Sequence, residues 1–195
     1  MEDKIKKDIA HLQMQLAGGD QAALKQLYDR FSERLLHFSF AIIHHREQAE
    51  EVVADVFIQV WQKRARIASL ENFAGYLYTI TKNISLNYLR KNGKEKYINI
   101  DTIYLPYFSI EPTAVDHLIS TDLLRCINKA INDLPPRCRL IFKLVKEDGL
   151  QYREVAELLH LSLKTIENQM GIALKKVHAT VNISLPVYSP PVNKP

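Results

Sequence analysis

Cysteine, glycine and tryptophan are scarce in this chain, long apolar runs are missing, and strand-like alternation is nearly absent. The two cysteines, Cys126 and Cys138, form no CxxC and have no paired histidine spacing, so neither a disulfide framework nor a zinc site is expected. Both read as buried thiols. No metal or other cofactor is predicted. The longest apolar stretch, residues 35–43, is broken by His37 and Ser39 and falls far short of the ~20 residues that cross a bilayer. Membrane insertion is therefore not expected. The opening MEDKIKKDIAHLQ lacks the apolar core of a signal peptide, which predicts a cytoplasmic protein. HExxH, a P-loop, GxSxG and GxGxxG are all missing, and His44 and His45 are adjacent, so they diverge on a helix. No catalytic residue is named, and the chain is not expected to be an enzyme.

What is present is an ordinary globular balance: 195 residues, 47% hydrophobic and 25% charged, enough for one domain or two small ones. A formal charge of +4 is compatible with a polyanionic partner without requiring one. Helical periodicity dominates. Gly18, Gly19 and Asp20 form a stop-and-cap signal, after which Ala23, Leu24, Leu27, Phe31, Leu35 and Phe38 recur at helical steps. Further helices are predicted from about Glu47 to Gln62, and from an N-cap at Asn72 to about Lys91. Periodicity then fails between Gly93 and about Asp116, across Pro106 and Pro112, which reads as an irregular linker. It resumes with Leu123, Leu124, Ile127, Ala130, Ile131 and Leu134, and again after Pro135 and Pro136, until Gly149. The fold class is all-α: two small helical domains, residues 20–92 and 120–178, joined by a linker at 93–119, with a loose proline-rich tail at 179–195.

The sharpest motif is QYREVAELLHLSLKTIENQMGIALKKV, residues 151–177. Val155, Ala156 and Leu159 give the inner face of one short helix; Ile166, Met170, Ala173, Leu174 and Val177 give that of the next. His160 to Ser162 form a tight turn between them, the spacing of a helix-turn-helix. Ser162 is placed to cap the second helix through the amide of Thr165, whereas His160 stands where such turns usually carry glycine, and a left-handed backbone there tolerates histidine only at a cost. The outer side of the second helix carries Lys164, Thr165, Glu167, Asn168, Gly171 and Lys175. Short polar groups there suit major-groove base edges and the lysines suit phosphates. An ordinary helical hairpin with a solvated lysine face fits the same pattern.

In the first half, QAEEVVADVFIQVW, residues 48–61, puts Ala49, Val52, Val53, Val56, Phe57 and Val60 on one face. Glu51, Asp55, Ile58 and Gln59 lie opposite, an acidic face with one apolar residue, fit either for docking on a basic helix or for plain solvation. In FAGYLYTITKNISLNYLRK, residues 73–91, Tyr78, Lys82, Asn83 and Asn87 interleave aromatic, basic and amide groups. That mixture suits unstacked single-stranded bases, although aromatic residues at helical spacing are more often packing.

AEEVVADVFIQVW followed by FAGYLYTITKNISLNYLRK resembles region 2 of the extracytoplasmic-function sigma factors of the sigma-70 family. LPPRCRLIFKLVKEDGLQYREVAELLHLSLKTIENQMGIALKKV resembles their region 4, with a TIEN segment most similar to the FecI-like branch. The resemblance implies a subunit that directs RNA polymerase to promoters. Glu51, Asp55, Ile58 and Gln59 would dock on core polymerase. Tyr78, Lys82, Asn83 and Asn87, with the loop from Arg64 to Asn72, would capture the melted −10 element. Lys164, Thr165, Glu167, Asn168, Gly171 and Lys175 would read the duplex −35 element. Promoter DNA, core polymerase and an anti-sigma factor are the implied partners, and the free chain is expected to be compact, its two domains docked through the linker. The rival reading is a stand-alone dimeric helix-turn-helix regulator, for which no dimerising heptad run is visible.

Overall fold

The structure, a computed structural model, describes residues 2–91 and 121–184; the expected linker and the last part of the expected tail lie outside the described residues. Among the described residues there are nine helices and no strand. The first five are α1 (Glu2–Ala17), α2 (Gln21–Ile43), α3 (Arg46–Gln62), the single turn α4 (Arg64–Ile67) and α5 (Phe73–Lys91). The other four are α6 (Thr121–Asn132), α7 (Pro136–Lys146), α8 (Tyr152–Leu159) and α9 (Leu163–Ser184).

Helix α2 is the axis of the first bundle. Asp20 accepts from the amide of Ala22 at 2.7 Å and so starts the helix, and His44, at φ 58°, closes it in the left-handed conformation. Between these caps Leu27, Phe31, Leu35 and Phe38 are buried against α3 and α5. Each such side chain contributes about 2 kcal/mol of burial free energy. Phe31 meets Phe73 edge-on at 5.8 Å, and the Ser39 and Ser85 hydroxyls pair at 3.0 Å where α2 and α5 approach closely. Helix α1, outside the domain boundary expected at residue 20, belongs to this bundle: Leu12 and Leu16 are buried, and the helix packs on α2 and α4.

In the second bundle α9 is the axis, burying Ile166, Met170 and Ala173 against α6, α7 and α8. Leu174, expected on this inner face, is 45% exposed. The buried stripe advances by three or four residues, and a residue one step past Ala173 is rotated ~100° off it. Helix α9 also runs on to Ser184, past the expected end at His178, so the expected tail begins as helix. Cys138 is buried, with its thiol donating to the carbonyl of Gln169 at 3.2 Å, whereas Cys126 is only half-buried, short of the burial expected for it.

The two bundles touch directly, α5 against α8. Arg34 Nη1 on α2 reaches Asp148 Oδ1 at 2.6 Å, and Tyr78 on α5 donates its hydroxyl to Asp148 Oδ2 at 2.8 Å. Asn72 Nδ2 donates to Glu154 Oε2 at 2.6 Å, and Lys82 Nζ donates to the carbonyl of Leu158 at 3.2 Å. Side chains of the two bundles thus meet directly, and the linker through which docking was expected lies outside the described residues.

Candidate nucleic-acid interface

The turn between α8 and α9 is built as its residues dictate. His160 takes φ 52°, and the next amide, Leu161, returns to the carbonyl of Ala156 at 2.9 Å, which ends α8. Ser162 Oγ accepts from the Thr165 amide at 3.1 Å and starts α9. Lys164, Glu167, Asn168 and Lys175 are exposed, while Thr165 and Gly171 are half-buried. Lys164 pairs with Glu167 at 3.4 Å, so the acid on this face is partly neutralised within its own helix. A Cβ placed on Gly171 would meet nothing within 4 Å, so packing inside the chain does not require this glycine.

On α3 the inner residues are all buried, and Glu51, Asp55 and Ile58 are exposed, with Gln59 half-buried beside them. Ile58 is 53% exposed, an apolar side chain in water among acids and amides.

Helix α5 divides the third set. Asn83 and Asn87 are exposed. Tyr78 and Lys82 lie on another side of the helix, turned toward Phe38 of α2 and toward the second bundle, and are only 3% and 9% exposed. Lys82 Nζ also lies 3.4 Å from His160 Nε2, and burial lowers its pKa. Burial drives the Tyr78 hydroxyl well above its ordinary value, with the neighbouring Asp148 adding to the rise. Asp148 is itself pushed up by burial, against the pull of Arg34 and Tyr78. In this closed arrangement the outer face of α9 stays open and part of the α5 face is hidden.

The cleft between the bundles is lined by Arg34, His37, Phe38, Tyr78, Lys143 and Asp148, among others. Burial lowers Lys143 there to about 8, with Glu147 pulling upward and Arg139 pushing further down. The unfolded chain holds that proton to its ordinary value of 10.5, so between the two values the folded state binds fewer protons and stability rises with pH. From about pH 8 to about pH 10, wild type is therefore expected to gain on the order of 2 kcal/mol relative to Lys143→Met in urea unfolding. An unchanged difference between the two chains would remove the buried ammonium as its cause.

Around residues 64–72, sequence reading expected a loop; its first part is the turn α4, and Arg64 stacks over Trp61 at 4.7 Å. Asn72 caps α5 by accepting from the Gly75 amide at 2.9 Å, and a Cβ on Gly75 would sit 3.1 Å from the Asn72 side chain, which accounts for glycine there. Gln13, which sequence reading passed over, reaches this segment from α1.

Residues 27–95 match the model of Sigma-70 region 2, and residues 124–177 match that of Sigma-70, region 4. The chain is 23% identical over 177 residues to the ECF RNA polymerase sigma factor SigW of Bacillus subtilis, spanning 87% of this chain and 92% of that one. It is 22% identical over 187 residues to the ECF RNA polymerase sigma factor SigK of Mycobacterium bovis, spanning 93% and 97%. A solved complex of the sigma factor RpoE with the anti-sigma factor NepR from Bartonella quintana aligns over 83% of this chain and 98% of that one, at 22% identity and a TM-score of 0.45. Two family segments in order, on two helical bundles with a helix-turn-helix in the second, place the chain in the sigma-70 family, among the extracytoplasmic-function RNA polymerase sigma factors.

Proposed function

We propose that this chain carries core RNA polymerase to promoters, reading the duplex −35 element with α9 and holding the melted −10 strand with α5 and the 64–72 segment. The observation that carries this reading is the division of polar side chains between two bundles: an open major-groove-sized helix face on one, and exposed amides beside a lysine on the other. Lys164, Thr165, Glu167, Asn168, Gly171 and Lys175 serve the duplex. Asn83 and Asn87 take unstacked bases, with Tyr78 and Lys82 joining them once the bundles part. Glu51, Asp55, Ile58 and Gln59 dock on polymerase. The chain makes no bond itself; it works in the cytoplasm, and an anti-sigma factor is the expected antagonist. Among the described residues no helix is long and apolar enough to cross a membrane.

The test is assembly in vitro with bacterial core polymerase and promoter DNA from upstream of the chain's own gene. Specific transcript that requires both chain and core is the expected result. Duplex binding by the chain alone, without any effect on core, would replace this reading with the dimeric regulator.

Gly171 supplies a narrower check. Glycine inside a helix costs about 1 kcal/mol relative to alanine, and its Cβ position is empty. Gly171→Ala is expected to raise the unfolding free energy by about 1 kcal/mol and to weaken −35 duplex binding several-fold. A variant more stable and equally tight would show that no backbone of DNA approaches this point.

A further inference from the structure

Gln13 lies on α1, outside both segments that match the family models. It is a polar side chain only 3% exposed, fixed between the buried Leu12 and the nearby Leu16. A primary amide carries two N–H donors, and burial requires both to be used. Its Nε2 donates to the carbonyl of Ile67 at 2.8 Å and to the carbonyl of Leu70 at 3.0 Å. These are the two ends of a short arc that closes on itself through the Leu70 amide, which donates to the Ile67 carbonyl at 3.1 Å. The buried Ile67 side chain anchors one end, while Ala68 and Ser69 are held outward in solvent. One side chain therefore fixes the backbone of the segment to which base capture is assigned, and it does so from a helix that contributes no group to that surface itself.

We infer that Gln13 is a positioning residue for base selection: its amide sets the shape of the 67–70 arc, and through that shape the preference among −10 sequences. The inference rests on the reading of residues 64–72 as a base-capturing segment. A side chain that only stabilised the bundle would, when removed, lower the active fraction and weaken every −10 sequence equally. The ratio of affinities for two sequences does not depend on active fraction, so it separates the two roles.

The experiment uses holoenzyme assembled from the full chain and bacterial core polymerase. The probes are fork-junction DNAs from the chain's own promoter, with the −10 element single-stranded, in the natural sequence and with each of its bases changed. Four chains are compared: wild type, Gln13→Met, Gln13→Glu, and one with Ala68, Ser69 and Leu70 all replaced by glycine. Met keeps the volume and removes both donors; Glu serves the same purpose if Gln13→Met yields no folded chain. The expected result is that both Gln13 variants and the glycine arc reduce the preference for the natural sequence about fivefold or more, while affinity for core polymerase stays within about twofold. If the glycine arc loses the preference but both Gln13 variants keep it, Gln13 has no positioning role and the assignment of the arc survives. If the glycine arc keeps the preference, the base-capturing reading of the segment is wrong and this inference goes with it.

Discussion

Asp148→Ala is expected to open the chain, raising the radius of gyration in solution scattering and strengthening binding of the free protein to single-stranded −10 DNA roughly tenfold or more. The Asp148 carboxylate holds two groups of the other bundle, Arg34 at 2.6 Å and the Tyr78 hydroxyl at 2.8 Å, and its side chain is 3% exposed. Within its own bundle the carboxylate faces the Lys143 ammonium of α7, while the side-chain hydrogen bonds to Arg34 and Tyr78 both cross to the other bundle, so its loss bears first on docking. Removing it leaves the Tyr78 hydroxyl buried without this acceptor and Arg34 without its counter-charge, both of which find water when the bundles separate. Hydrogen bonds to charged groups contribute about 2 kcal/mol, which shifts a docking equilibrium roughly thirtyfold. Separation also exposes Lys82, now held to the carbonyl of Leu158, and frees it for phosphate. Lys82 cannot serve both partners at once. Because the α9 face is open in the closed chain, duplex affinity is expected to change far less than single-strand affinity in the same variant. An unchanged scattering profile would show that Asp148 is not what holds the bundles together; a profile that expands with no gain on single-stranded DNA would show that docking does not hide the relevant groups.

The sequence reveals what is local. Asp20, Asn72, Ser162 and Pro136 mark helix starts through chemistry that acts within three residues, and the structure starts α2, α5 and α9 just after the first three and α7 at Pro136 itself. His160 was legible as a left-handed turn residue for the same reason. Helix α1 was harder to place. Its charged residues dilute the apolar stripe, and only contact with α2 and α4 shows that Leu12 and Leu16 belong to the core. Tyr78 illustrates a different limit. A helical wheel sets it beside Lys82 and well round the helix from Asn83, but a wheel cannot show that a helix distant in sequence lies over the side that Tyr78 and Lys82 share. The same holds for Arg34, whose partner Asp148 comes from the other bundle. Long-range polar pairs leave no periodicity, since each member taken alone looks like an ordinary surface charge. Gln13 was silent for that reason too: a single glutamine near a chain start carries no pattern until its two carbonyl acceptors are known.

Ile58→Asp is expected to cost the chain about a hundredfold in affinity for core polymerase while leaving its fold intact. Helix α3 has two sides with opposite duties. Val52, Val53, Val56, Phe57 and Val60 are buried and fix the helix on α2, so the core does not depend on Ile58. Ile58 is 53% exposed, and nearby on its face are the exposed Glu51 and Asp55 and the half-buried Gln59. An apolar residue surrounded by polar ones is the usual layout of an interface hot spot, where the centre loses all its water on binding and the rim steers the approach. Placing a carboxylate at that centre removes the apolar contact and buries a charge without a partner, a combined penalty of about 3 kcal/mol, which corresponds to the hundredfold. In the free chain the same substitution exchanges one solvated side chain for another, so thermal unfolding is expected to shift by no more than about 2 °C. Asp55→Asn, which keeps the shape and removes a rim charge, is expected to slow association and to flatten its salt dependence with a smaller loss of affinity. Fluorescence titration of labelled chain with core polymerase, at two salt concentrations, reads both effects. If Ile58→Asp binds core as tightly as wild type, the outer face of α3 is solvent surface, and the polymerase contact lies on another helix of the first bundle.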